Sequence, residues 1–431
     1  MTDDTVSLHL LTMVPEGDEV LVGRLDTDSF AVFPADGAAV VRRLQDGMTL
    51  TEVADWYHAE YGETLDTADL LETLDDLGFL CKDGEKPTAA ADGPLRFQRL
   101  GRLAFSPLAW LVYLALTAAL AVLYVRHPGY LPHPGQLFYT HSALAVELTV
   151  VFGQLPLLFA HEGYHTLAGR RAGLPSRIGV GTRMYILVAE TQLNGLLTLP
   201  RRKRYLCFLA GMVCDVVLIA ILDLVGYLLR NNASHDHLYS RLAFALSFPI
   251  VTRIAYQFVL CLQTDLYFVF ATALGCQDLH GASVAVVKNW FNQRIGRPQH
   301  ADPTAWSDRD LRVGRRYAPV LAFGVVVFSG VWVFLIAPVF VQLVRLVWEG
   351  LQLGAGDPAF WDRCCFVALS LAQVVAAIVM AYRKHNRRRT ERTRGRWAET
   401  LEQPSAAEPD HPSPHDRATH AGRSTEKVIT P

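Results

Sequence analysis

Six apolar runs, at about 105–125, 142–168, 205–229, 241–262, 317–343 and 361–382, dominate the chain after residue 100. A helix needs roughly 20 apolar residues to cross a membrane, so each run is long enough for one span. Upstream the pattern is different. Val6 to Thr12 and Glu19 to Leu25 alternate apolar and polar positions as strands do, with a turn at Pro15-Glu16-Gly17-Asp18. Phe30 to Phe33 fits a third strand. Asp36 to Leu44, Thr51 to Tyr61 and Thr67 to Leu77 then follow helical spacing, with Thr49 and Thr51 as caps, Glu52 in the first turn and Gly78-Phe79-Leu80 as the stop. The pattern predicts a small α+β domain at 1–85, a polar linker within 86–103, a helical membrane core at 104–345, a C-terminal span at 346–383 and a tail at 384–431.

One segment inside the core does not read as helix. Ser176 to Thr191 carries Ile178, Val180, Met184, Ile186 and Val188 with Gly179 and Gly181 between them, which predicts a β-hairpin. Open strand edges are not tolerated in lipid, so the hairpin must be covered by protein or line a cavity.

Charge orients this layout. Arg96, Arg99 and Arg102 precede the first run; Arg170, Arg171 and Arg201 to Arg204 lie between the second and third. Lys288, Arg294, Arg297, Arg312, Arg315 and Arg316 lie between the fourth and fifth, and Arg383 to Arg396 follows the last. The basic segments fall on one side of a six-span arrangement, which puts both termini in the cytoplasm of a multi-pass cell-membrane protein. Residues 1–85 hold about 20 acidic side chains against about 4 basic ones. That surface repels nucleic acid and anionic lipid. The acidic N-terminus, with no long apolar run before Phe105, predicts no signal peptide. The tail after Trp397, rich in Pro, Ser and charge, is expected to be disordered. The seven cysteines lie mostly in or beside apolar runs without paired spacing, and read as small core residues. Trp110, Tyr113, Tyr124, Trp332 and Trp348 suit interfacial anchoring in membrane lipid.

The chemistry concentrates in the second run, at His161-Glu162-Gly163-Tyr164-His165. Histidines four apart project from one helical face, so both imidazoles can reach one Zn²⁺, and Glu162 beside them is placed to take a proton from an activated water. Three ionisable groups at the inner end of a span are costly unless they serve a function. A catalytic zinc site needs a third protein ligand and an open position. The acids available in the apolar runs are Asp215, Asp223 and Asp265. Counting about 1.5 Å per residue puts Asp265 at the level of the histidines and Asp215 deeper, where it suits a pairing with Arg253. Asp265 is therefore the preferred third ligand and Asp215 the alternative. Gln263 and Thr264 are expected to bond backbone groups freed by local unwinding there.

In order, His161 to His165, Arg170-Arg171, the hairpin, Leu199-Pro200-Arg201-Arg202-Lys203-Arg204, Leu209-Ala210-Gly211 and Asp265-Leu266-Tyr267 resemble the site-2-protease-like intramembrane metalloproteases, peptidase family M50, over about residues 140–320. The closest likeness is to its bacterial peptide zinc metalloprotease branch. The resemblance implies His161, His165 and Asp265 as zinc ligands, Glu162 as base and a substrate unwound beside the hairpin edge. The chain departs from the family at Asp265-Leu266, where Asp-Gly is usual, and at Gly211-Met212, where Gly-Pro is usual. Residues 5–80, with Gly37 to Leu44, Gly47-Met48-Thr49-Leu50 and Leu77-Gly78-Phe79-Leu80, resemble the PqqD-like peptide-recognition domains. That likeness implies a winged-helix-like fold to which a leader peptide adds as a strand.

Together these features lead us to expect an intramembrane zinc endopeptidase that matures a ribosomally made, modified peptide, with a precursor or leader peptide as partner. The alternative is a catalytically weak export, immunity or binding module of the same fold. A third class, a membrane-bound regulator cleaving an anti-sigma factor, would take a single-span substrate.

Overall fold

A computed structural model describes residues 5–16, 19–81, 95–183, 186–232, 237–276, 278–298, 306 and 308–402. The N-terminal unit is an antiparallel meander of β1 (Thr12–Glu16), β2 (Glu19–Arg24) and β3 (Ser29–Pro34), followed by α1 (Ala35–Gln45), α2 (Leu50–Tyr61) and α3 (Thr67–Asp76). In register, Thr12 faces Gly23 and Leu21 faces Val32. Val22, Phe33, Val40, Val41, Leu44, Val53, Leu74 and Phe79 form one buried core. Thr49 caps α2 in a reciprocal box with Glu52; Thr51 lies inside the helix. Asp66 caps α3 by accepting from the Ala68 and Asp69 amides.

The first strand differs from expectation. It starts at Thr12 and includes Pro15 and Glu16, not Val6 to Thr12. Leu8 and Leu11 are drawn into the core, and the segment before β1 pairs with the end of the domain: the His9 amide donates to Phe79 O and the Cys81 amide to Ser7 O. Of the linker expected at 86–103, residues 86–94 lie outside the described residues, and from Gln98 onward the chain is helical instead.

α4 (Gln98–Ala104) leads into α5 (Pro107–Arg126). α6 (Ala143–Leu148) continues through a π-turn at Thr149–Gly153 into α7 (Gln154–Ala172). The predicted hairpin is present as β4 (Ser176–Arg183) and β5 (Ile186–Leu193), with Thr191 opposite Ile178. Then come α8 (Arg201–Asn232), α9 (Leu238–Gln257), α10 (Asp265–Leu274), α11 (Leu279–Arg294), α12 (Asp308–Val331), α13 (Ala337–Leu351) and α14 (Pro358–Glu402).

Among the described residues, five helical stretches are long and apolar enough to cross a membrane: Pro107–Arg126, Ala143–Ala172, Arg201–Asn231, Arg309–Leu351 and Pro358–Met380, with mean hydropathy from 1.8 to 2.6. The expected count was six. The run at 241–262 is the exception, since α9 carries Arg241, Thr252, Arg253 and Gln257 and ends before the run does. The fifth run is longer than its apolar stretch, reaching from Arg309 to Leu351 through a π-turn at Trp332–Ile336. The C-terminal helix runs on past the apolar residues, so the basic segment and the start of the expected disordered tail are helical as far as Glu402. Residues 403–431 lie outside the described set.

The N-terminal unit touches the core at the turn that follows β5. The Gly195 amide donates to Asp28 Oδ1 over 2.7 Å, and β1 lies beside Leu196–Thr198.

Candidate metal centre

His161 and His165 sit one turn apart on α7 and are 3% and 6% exposed; Glu162 between them is 6% exposed. They are buried because α7 packs closely on α8. The contact passes over Ala210 and Gly211, where a Cβ on Gly211 would collide with His165 Nε2 and lie 2.5 Å from His161 Nε2. Glycine at this position leaves the two imidazoles their room.

Asp265, the first residue of α10, completes the group. Its Oδ2 lies 3.5 Å from His161 Nε2 and 3.3 Å from His165 Nε2, and the two Nε2 atoms are 3.3 Å apart. A tetrahedral ion with bonds of about 2.0–2.1 Å holds its ligand atoms about 3.3 Å apart. The three atoms are therefore spaced as three ligands of a tetrahedral zinc ion would be. Among the described residues these three side chains are the group that can hold a metal ion.

The far sides of the rings are also engaged. His165 Nδ1 lies 2.7 Å from the Cys207 carbonyl, which accepts its proton and turns the Nε2 lone pair toward the centre. His161 Nδ1 lies 3.0 Å from Asp215 Oδ2, a charge contact that is not aligned as a hydrogen bond. Asp215 is fully buried and is paired with Arg253, whose Nε donates to Oδ2 over 3.0 Å and whose Nη2 bonds Oδ1. The two acids thus take different places. Asp265 faces the ligand nitrogens, whereas Asp215 lies behind one ring. Asp223 is outside the group and accepts from Tyr124.

Charge fits a divalent ion. Glu162, Asp215 and Asp265 are three carboxylates, and Arg253 is the one basic side chain that ion-pairs with any of them among the described residues, the histidines aside. Two carboxylates are left without a Lys or Arg partner, a balance that a bound divalent cation would offset.

Sequence reasoning missed three contributors. Thr191 on β5 points its hydroxyl at Glu162, 2.8 Å from Oε2 and 2.9 Å from the backbone oxygen. The Cys207 carbonyl carries no side-chain signal at all. Gln257 at the end of α9 bonds both the backbone and the carboxylate of Asp265; an amide in an apolar run was the available clue. Thr264 does bond a freed carbonyl, that of Gln257, and Gln263 turns the chain through a left-handed conformation at φ 52°.

Comparison with known proteins gave no match to any family model, curated protein or solved structure.

Proposed function

We propose that the chain is an intramembrane zinc peptidase, similar to the M50 metalloproteases, that cleaves a peptide precursor at the cytoplasmic face of a cell membrane. The observation that carries this reading is the spacing of His161 Nε2, His165 Nε2 and Asp265 Oδ2, with the carboxylate of Glu162 next in sequence. When bound there, zinc supplies a Lewis acid that polarises a carbonyl and lowers the pKa of a water toward about 7. Glu162 accepts the proton of the attacking water and returns it to the leaving amine. Thr191 holds Oε2 of Glu162 in one orientation, which a general base needs and a purely structural metal does not. The apolar helices keep bulk water away and strengthen each of these contacts.

The hairpin lies against the base through Thr191, so an extended substrate laid beside it would pass the centre. The N-terminal unit supplies a place for the other end of a precursor. β3 is an edge strand, and a pocket of about 270 Å³ beside it is lined by Phe33, Tyr57, Leu65, Asp66, Asp69 and Leu70. Arg96, Arg99 and Arg102, just before the first span, support a cytoplasmic position for this unit.

The deciding experiment pairs zinc content with cleavage of a candidate precursor peptide in detergent. Glu162→Gln is expected to hold as much zinc as wild type and to cleave nothing. Equal cleavage by mutant and wild type would end the peptidase reading.

A further inference from the structure

Asp265 sits at a break in the fold. α9 stops at Gln257, the chain makes a short 3₁₀ turn at Leu260–Leu262, and α10 begins at Asp265 itself. A metal ligand at the start of a helix is held by nothing in its own helix. Its backbone amide has no intrahelical partner, and its carboxylate is free to rotate.

The Gln257 side chain closes that gap from both directions. Its Oε1 accepts from the Asp265 amide over 3.0 Å, and its Nε2 donates to Asp265 Oδ2 over 2.9 Å. Its own carbonyl accepts from Thr264 Oγ1 over 2.7 Å, which fixes Gln257 in turn. Gln257 is 7% exposed and Thr264 1%, so water does not compete for these bonds. The oxygen that Nε2 grips is the same Oδ2 that faces both imidazoles. A residue that only spliced α9 to α10 would need the backbone bonds and not this one.

We infer that Gln257 is a positioning residue for the metal: it sets the backbone and the rotamer of Asp265 so that Oδ2 points at the histidine pair. The inference rests on the metal-binding part of the proposed function and is independent of whether a peptide is cleaved. It assigns the ordering of the site to an amide eight positions upstream of the ligand it serves. Groups that hydrogen-bond a metal ligand from behind typically contribute about 10–100-fold to metal affinity.

The test uses the full chain in detergent, with zinc affinity measured by competition against a chromophoric chelator. Gln257→Met, of similar length but without the amide, is expected to weaken zinc about 10–100-fold. The metal-free protein should keep its helical content. With Co²⁺ in place of zinc, the d–d absorption should shift in the variant, because the ligand geometry changes. In the Asp265→Ala background, Gln257→Met should cost nothing further, since it acts through that carboxylate. Should Gln257→Met not fold, Gln257→Asn keeps a polar amide but is too short to reach both Asp265 atoms, and is expected to lose affinity in the same way. Wild-type affinity with an unchanged Co²⁺ spectrum in a folded Gln257 variant overturns the inference, as does a full additional loss in the double variant. Absence of zinc binding by the wild-type chain would overturn the metal reading and this inference with it, whereas zinc binding without cleavage would leave both standing.

Discussion

Asp215 Oδ2 stands 3.0 Å from Nδ1 of His161 while the same carboxylate pairs with Arg253. One buried acid therefore faces a candidate metal ligand on one side and the largely buried guanidinium of Arg253 on the other. The two roles separate by mutation. Asp215→Ala strands Arg253, and breaking a buried pair typically costs about 3–5 kcal/mol, so folded yield should fall sharply. Arg253→Met in the same chain removes the stranded charge and should restore yield. Zinc affinity should stay about 10–100-fold low in that double variant, because the contact behind His161 is still missing. Yield by size-exclusion chromatography and affinity by chelator competition read the two effects apart. A double variant with wild-type affinity would limit Asp215 to a structural pairing.

Gly211 offers a test by a single methyl group. In a helix interior, Gly→Ala ordinarily stabilises by about 0.5–1 kcal/mol. Here the new Cβ enters the space of both imidazoles. Gly211→Ala is expected to retain helical content by circular dichroism and to lose bound zinc by elemental analysis. Full zinc occupancy in this variant would mean that the histidines do not need their present positions.

The motif residues are legible because helical spacing alone brings positions four apart to one face, which is enough to pair His161 with His165. Counting residues at about 1.5 Å each favours Asp265 over Asp215, and the structure brings Asp265 to the two histidines, although the chain breaks between Gln257 and Asp265. The hairpin was legible from its alternation and glycines. Harder to read were contacts made between elements. Thr191 meets Glu162 because the hairpin lies on α7, and Cys207 contributes through its backbone. Val6 to Leu11 alternates like a strand, yet the segment stays out of the sheet: Leu8 and Leu11 enter the core, and Leu8 makes an isolated antiparallel bridge to Leu80. The run at 241–262 reads as a span by composition, but its polar side chains Arg253 and Gln257 face the site and interrupt it.

The N-terminal unit should bind an extended peptide at β3. Its core is self-contained, and the edge of β3 borders the pocket formed with α3. Asp66 and Asp69 on the pocket wall favour a peptide with a basic residue near its apolar anchor. Titration of the full chain with candidate leader peptides is expected to give a Kd of about 1 μM, roughly 8 kcal/mol of binding, weakening as salt rises. Asp69→Lys on the exposed pocket wall should weaken it about tenfold, roughly 1.4 kcal/mol. Salt-independent binding, or binding untouched by Asp69→Lys, would place the peptide elsewhere.

Asp28 makes the contact between this unit and the core pH-dependent. It lies in the turn between β2 and β3 at φ 55°, and its Oδ1 accepts from the Gly195 amide. Burial pushes its carboxyl above the usual value of 3.8, and the Gly195 bond only partly offsets that rise. A carboxyl raised by docking favours the docked state while it is protonated. That contribution is fully present below the ordinary carboxyl range and is lost as pH rises through the raised value. Docking should therefore loosen as pH rises through the raised value of this carboxyl. Asp28→Asn removes the buried charge, keeps an oxygen for Gly195 and suits the left-handed backbone better than most residues. At neutral pH it is expected to slow amide exchange at Gly195 and in β1 relative to wild type, and to flatten the pH dependence of that exchange. Faster exchange in Asp28→Asn would show that the ionised carboxylate holds the two units together, reversing the sign argued here.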